Sequence, residues 1–215
     1  QILESQIILT DKLENKIIEK PIKKILMSKT KLIINLNKKN NNLLSFQGLY
    51  NLGGKENKKF KIDHNLSKKT PKYFIDFDLA ENIFLEFINF KSDNKNKSNI
   101  KSEVNLSKNN LIFKYIKFTE GQNLISIDDL KIKNQNELKS VSAIKVRTFS
   151  VNEENNNFKI VFKKKISVIG NSYDATYLLK QLASENKTSL LKNFSKDIEI
   201  KLKSLITKSQ IPLKE

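Results

Sequence analysis

The 215-residue sequence contains no cysteine. Disulfides, thiolate metal sites and cysteine nucleophiles are therefore excluded, and the redox compartment is left open. Histidine is nearly absent too. His64 is the only one, and it alternates with Phe60, Ile62 and Leu66. It reads as a packed strand residue in preference to a base or a metal ligand. Arg147 is the only arginine, although the net charge is +17. Readers of phosphate and guanine lean on arginine forks. The lysine excess is accordingly read first as compositional, alongside heavy use of asparagine and isoleucine. Attraction to anionic lipid ranks second and nucleic-acid binding third. No apolar run approaches the ~20 residues that a bilayer-spanning helix needs. No secretory leader is visible, and the first residue is Gln1. The chain is therefore read as an interior fragment of a longer protein.

Catalytic motifs are missing as well. There is no Gly-x-Ser-x-Gly elbow. Gly53-Gly54-Lys55 lacks the spacing of a phosphate loop and reads as a hairpin turn. Asp76 and Asp78 point to one side of a strand, and Asp128-Asp129 sits where a strand meets a turn. Both pairs read as solvated polar positions in preference to acid/base or metal sites. The reading is of a protein that is not an enzyme and needs no cofactor and no metal.

What is present is period-two alternation. Gln1–Thr10 reads as a strand, and residues 11–27 as a loop or a short helix broken by Pro21. Strand-like alternation follows from Lys31. It recurs through Leu43–Leu49, Phe60–Leu66, Tyr73–Leu79, Ile83–Ile88, Ile100–Leu106, Leu111–Ile116 and Leu124–Lys133. Gly48, Gly53-Gly54, Ala80-Glu81-Asn82, Lys108-Asn109-Asn110 and Gly121-Gln122-Asn123 read as turns. The segments 73–79 and 83–88 look like a hairpin. Residues 144–151 and 158–169 look like another, closed around Asn155-Asn156-Asn157. Strands of six to ten residues joined by Asn/Lys-rich turns predict a mainly β fold built as an antiparallel meander.

Most strands have one aliphatic and aromatic face and one Lys/Asn/Asp/Glu face. An apolar face must be covered, by a second sheet or by an apolar ligand. On the residues alone the closed sandwich is preferred. Tyr73, Phe77, Phe87, Phe113 and Tyr115 all lie on the aliphatic side. They are not interleaved with basic residues, as an oligonucleotide-binding barrel would require.

The stretch Lys165–Leu182 differs from the rest. Ile166 and Val168 form a strand ending at Gly170. Ser172 and Asp174 can cap a helix, and Ala175, Leu178, Leu179 and Leu182 fall on one helical face. This stretch, with Phe194–Ile206 after a polar gap, resembles the AsmA-like family and most closely its YhdP-like branch. There a strand ends in Gly-x-x-aromatic-Asp-Ala and continues into a short Leu-rich helix. Gly170, Tyr173, Asp174, Ala175, Leu178 and Leu179 match that pattern. Residues 123–134 and 142–151 fit the same strand run.

The resemblance implies a long, elongated and half-open β groove in the envelope of a diderm bacterium. Such a protein lies in the periplasm, anchored to the inner membrane by a helix outside this sequence. It conducts phospholipid to the outer membrane without chemistry. On that basis residues 1–172 form the groove segment, 173–187 an inserted helix, and 188–215 a polar linker and a resumed strand. The lining is assigned by alternation to Ile75, Phe77, Leu85, Phe87, Leu111, Phe113, Tyr115 and Ile200. Ala175, Leu178 and Leu182 are placed at the groove edge. The partners are phospholipid acyl chains, the membrane anchor and envelope proteins, with no nucleic acid. A structural or interaction β-sandwich with a closed core is the alternative, and a basic nucleic-acid-binding domain a distant third.

Overall fold

The computed structural model describes residues 3–13, 17, 21–36, 42–54, 56–67, 70–93, 96–134, 137–150, 152–177 and 197–207. Their strands, in order, are β1 (Leu3–Leu13), β2 (Ile22–Asn35), β3 (Leu43–Asn51), β4 (Lys58–Asn65), β5 (Lys72–Asp78), β6 (Phe84–Leu85), β7 (Phe90–Lys91), β8 (Ser98–Ser107), β9 (Asn110–Glu120), β10 (Asn123–Lys133), β11 (Glu137–Ser140), β12 (Ala143–Ser150), β13 (Glu153–Phe162), β14 (Ile166–Asp174) and β15 (Ile198–Ile206).

One sheet takes in all but β6 and β7. Its order is β1-β2-β3-β4-β5-β8-β9-β10-β12-β13-β14-β15, with β11 attached to β10. The two ends of this path do not pair with each other, so the sheet is open. Nearly every neighbour in sequence is a neighbour in space, as the short polar turns require. Every pair up to β14 is antiparallel. The mainly β meander expected from the alternation is the observed fold.

Gly48, read as a turn, lies inside β3 opposite Phe60, and four larger local expectations are corrected. The first concerns residues 22–27, read above as loop or broken helix. They begin β2, because Ile22 and Ile25 are held by pairing with β1. The second is the hairpin assigned to 73–79 and 83–88. β5 pairs instead with β4 and β8, and Ile83–Lys91 leaves the sheet. The third is the hairpin closed around Asn155–Asn157. Those asparagines lie inside β13, and β13 ends at Phe162, with a bend at 163–165 before β14.

The fourth correction is at the stretch resembling the AsmA-like family. β14 does not stop at Gly170 but continues to Asp174, and Ser172 is a strand residue. Helical residues begin at Thr176. Asp174 alone of the two candidate caps acts as one, accepting a hydrogen bond from the Thr176 backbone N–H at 3.1 Å. Leu178 and Leu182 lie outside the described residues. Past them the chain returns as β15, which pairs with β14 in parallel. A parallel neighbour needs a crossover connection of about a dozen residues or more. Residues 175–197 supply that length.

Candidate functional site

The register sorts the strand residues onto two faces, because directly opposed residues share a side. On one face Phe60 opposes Phe77, Phe77 opposes Ile100, and Ile100 opposes Phe118. Phe118 then opposes Ile125, Ile125 opposes Val146, and Val146 opposes Phe158. A parallel row joins Leu32, Phe46, Ile62 and Ile75. The result is an apolar face running across nearly the whole width of the sheet. Aromatic rings pack along it. Phe60 stacks on Phe77 with centroids 5.8 Å apart, and Tyr50 meets Phe77 edge-on at 5.5 Å.

Part of this face is covered and part is not. The segment between β5 and β8 folds back over it. The two short strands β6 and β7 pair with each other, joined by a 3-10 turn at Glu86–Ile88. Ile83, Ile88 and Phe90 are buried against Phe118, Ile125, Val146 and Phe158. Beyond this cover the face changes character. Leu32 is 57% and Ile34 58% exposed, while Ile62, Ile75, Phe77, Leu111 and Phe113 are half-buried. Among the described residues no second sheet faces them.

The residues assigned to the lining separate into three groups. Ile75, Phe77, Leu111 and Phe113 lie together on the apolar face of β5 and β9. Ile200 lies on the same face of β15, opposite Val168, and is 64% exposed. Leu85 and Phe87 belong to the cover and not to the sheet. Leu85 packs on the core cluster, and Phe87 is 42% exposed. Tyr115 lies on the opposite, polar face. A register shift between Glu103 and Val104 sets Phe113 against Val104 but Tyr115 against Glu103. The extra residue of that bulge is Lys114, and a one-residue slip reverses the face. Ala175, assigned to an edge, is buried.

The cover is held by a clasp. Each of four consecutive residues in the turn is bonded by one side chain from β13, β14 or the residues after it. Tyr177 donates to the Glu86 carboxylate. Tyr173 donates to the Phe87 carbonyl at 2.8 Å. Asn156 donates to the Ile88 carbonyl at 2.8 Å. Asn89, in the left-handed region with φ 49°, donates to Asp174 at 3.0 Å. Asn156 also donates to Thr148 at 2.9 Å and accepts from the Asp174 backbone N–H at 2.8 Å. Three of the clasp residues, Asn156, Asp174 and Ile88, are fully buried.

Burial raises the Asp174 carboxyl. Hydrogen bonds from Thr176, Asn89 and Asn155 outweigh that and hold it below its ordinary value. Burial pushes the Tyr173 phenol up, helped by the Asp174 charge. Burial also pushes Tyr50 up to about 12. Its hydroxyl donates to the Asp78 carbonyl at 2.7 Å.

The polar candidates resolve into structural roles. His64 stacks on Tyr73 at 4.4 Å, with Nδ1 3.2 Å from the Lys72 carbonyl. Asn99 donates to both Asp76 and Asp78, and each carboxylate also meets a lysine, Lys101 and Lys97 respectively. Asp128 and Asp129 pair with Lys145 and Lys114. No group of three potential metal ligands comes together among the described residues.

Ile88, Phe90 and Asn156 carry the cover, and sequence reasoning missed all three. Phe90 is followed by a polar loop and looks like the ragged end of a strand. Asn156 is hidden in a run of three asparagines that reads as a turn. The signal in the sequence was Asn89, a residue tolerant of the left-handed region, interrupting the apolar run before Phe90. Comparison with protein-family models, with curated proteins and with solved structures finds no match.

Proposed function

We propose that this chain is a segment of a cell-envelope protein that shields phospholipid acyl chains along an apolar β surface and conducts them between the inner and outer membranes. The observation that supports this reading is the part of the apolar face outside the cover, from Leu32 and Ile34 through Ile62 and Ile75 to Leu111 and Phe113, where Tyr50, Phe60 and Val104 are buried among their neighbours but no sheet lies opposite among the described residues. Each methylene shielded there is worth ~0.8 kcal/mol, so two acyl chains are favoured in the dry strip while the headgroup stays in water. No bond is made or broken, and no catalytic group is required. Among the described residues, no helix is long and apolar enough to cross a membrane.

The covered half of the sheet favours a second reading. There Ile83, Ile88 and Phe90 close a core as a sandwich would, which suits an interaction domain.

Photo-reactive residues separate the two. Placed at Ile75, Phe77 or Phe113 in the full-length protein in cells, they capture phospholipid under the first reading. Placed at Asp76 or Lys117, on the other face, they do not. Capture of protein instead of lipid at Phe77 supports the second reading, and equal lipid capture on both faces rejects the first.

A further inference from the structure

The face opposite the apolar one carries a line of charge. Pairing joins Lys31 to Gln47, Gln47 to Lys61, Lys61 to Asp76 and Asp76 to Lys101. It continues from Lys101 to Lys117, Lys117 to Ser126, Ser126 to Lys145 and Lys145 to Lys159. Six lysines thus fall on one cross-strand row from β2 to β13, and all six are exposed. With strands about 4.8 Å apart, the row is about 40 Å long.

This arrangement is costly in isolation. Like charges directly opposed across a ladder are destabilising, and the row contains two such contacts, Lys101 with Lys117 and Lys145 with Lys159. Acidic neighbours relieve only some of it. Lys61 meets Asp63 at 2.7 Å, Lys101 meets Asp76 at 3.2 Å, and Lys145 meets Asp128 at 2.9 Å. Lys31, Lys117 and Lys159 have no ion-pair partner among the described residues.

At its β2–β8 end the row enters an open depression of about 910 Å³, where Lys29, Lys59 and Lys97 join it; Asp76 and Asp78 line it too, and Lys97 is paired with Asp78 at 3.0 Å. The backbone is shaped for this. Lys29 takes a positive φ of 51° at the bulge that shifts β2 against β3. Opposite lies Gly48, where a Cβ would stand 2.9 Å from the Thr30 Cα. Bulges re-aim side chains, and the close crossing that glycine permits on the apolar side accommodates this one.

We infer that this row is a docking track for a linear phosphate polymer, with the anionic chain lying across the strands and entering the depression. Ammonium groups act as point charges that tolerate variable register, unlike a guanidinium fork. The lone arginine is off the row and committed to Glu154 at 2.9 Å. The recognition therefore suits repeated charge without a fixed planar motif. Neighbouring strands are rotated by about 20–25°, so the row winds. A flexible polymer can follow that path, whereas a flat bilayer touches only part of it. The track is on the face opposite the one proposed to shield lipid and does not depend on that reading.

Long-chain inorganic polyphosphate is the probe, with binding to the whole chain measured across a salt series. The triple variant Lys31→Gln, Lys117→Gln, Lys159→Gln removes the unpaired cations of the row. The triple variant Lys108→Gln, Lys139→Gln, Lys164→Gln removes the same charge from exposed positions off it. The row variant is expected to bind about tenfold or more weaker, with a salt dependence shallower by about two to three ions, while the control stays within about twofold. Thermal unfolding by circular dichroism confirms that both variants are folded. Equal losses in the two variants would overturn the inference, as would tripolyphosphate binding as tightly as the long chain. Anionic phospholipid vesicles outcompeting polyphosphate would also overturn it.

Discussion

Gly170 shows how a single missing side chain organises the sheet. A Cβ there would lie 2.3 Å from the Asn157 carbonyl oxygen and 2.5 Å from the Phe158 Cα. The glycine is needed for close approach inside β14 and not for a turn. Neither contact is with the end of a flexible side chain, so Gly170→Ala must move a strand. The expected cost is about 1–3 kcal/mol, as for overpacked cores, read as a lower denaturant midpoint at unchanged m-value. Tyr50 offers a second residue-level test. Its folded-state phenol stays protonated to about 12. Ultraviolet titration should therefore find one tyrosine ionising near that pH, and Tyr50→Phe should remove it. Because the folded value is raised, the contribution of Tyr50 to stability is complete below the ordinary tyrosine value and is lost as pH climbs through about 12. Such residues are hard to read in a sequence. Glycine inside a strand and glycine at a turn look alike in a sequence, and only the neighbouring backbone distinguishes them.

At the scale of elements, the cover and its clasp behave as one unit. Ile88 is fully buried under it, and Ile88→Ala is expected to cost about 2–5 kcal/mol. Faster amide exchange at Ser92, whose N–H is bonded to the Ile83 carbonyl at 2.9 Å, would report that the cover has loosened. Asp174 makes the clasp sensitive to acid. Its folded value is depressed, so the unfolded chain takes up a proton first. The stabilisation is present above the ordinary carboxylate value and is lost as pH falls through the lower folded value. Acid unfolding curves of Asp174→Asn should lack that component, and a curve identical to the parent's would remove Asp174 from the acid response. Strands β4, β5 and β8 were legible because their apolar alternation is unbroken. The cover was not, because Ile83–Ile88 shows the same alternation as a sheet strand while its burial is against the sheet face. Tyr115 was misplaced for a related reason: alternation counts residues, and the bulge at Lys114 adds one that alternation cannot see.

For the whole molecule, the asymmetry between the two faces is the governing fact. One face carries the lysine row and its acidic partners. The other is apolar from β2 to β13 and, among the described residues, is covered by β6–β7 only toward β8–β14. The stretch that prompted the family resemblance serves this arrangement from the covered end, since Tyr173 and Asp174 lock the cover and the chain beyond them returns as a parallel strand. A sheet of this kind should display its unbalanced face in the native state. A hydrophobic dye such as 8-anilinonaphthalene sulfonate is therefore expected to bind the folded protein, and Leu32→Lys with Ile34→Lys should reduce the signal by about half without lowering the melting temperature, because both side chains are already more than half exposed. Added phospholipid should displace the dye from the parent if acyl chains occupy the same strip. Dye fluorescence that appears only on unfolding would show that the face is shielded in solution, and would remove the uncovered strip on which the lipid reading rests.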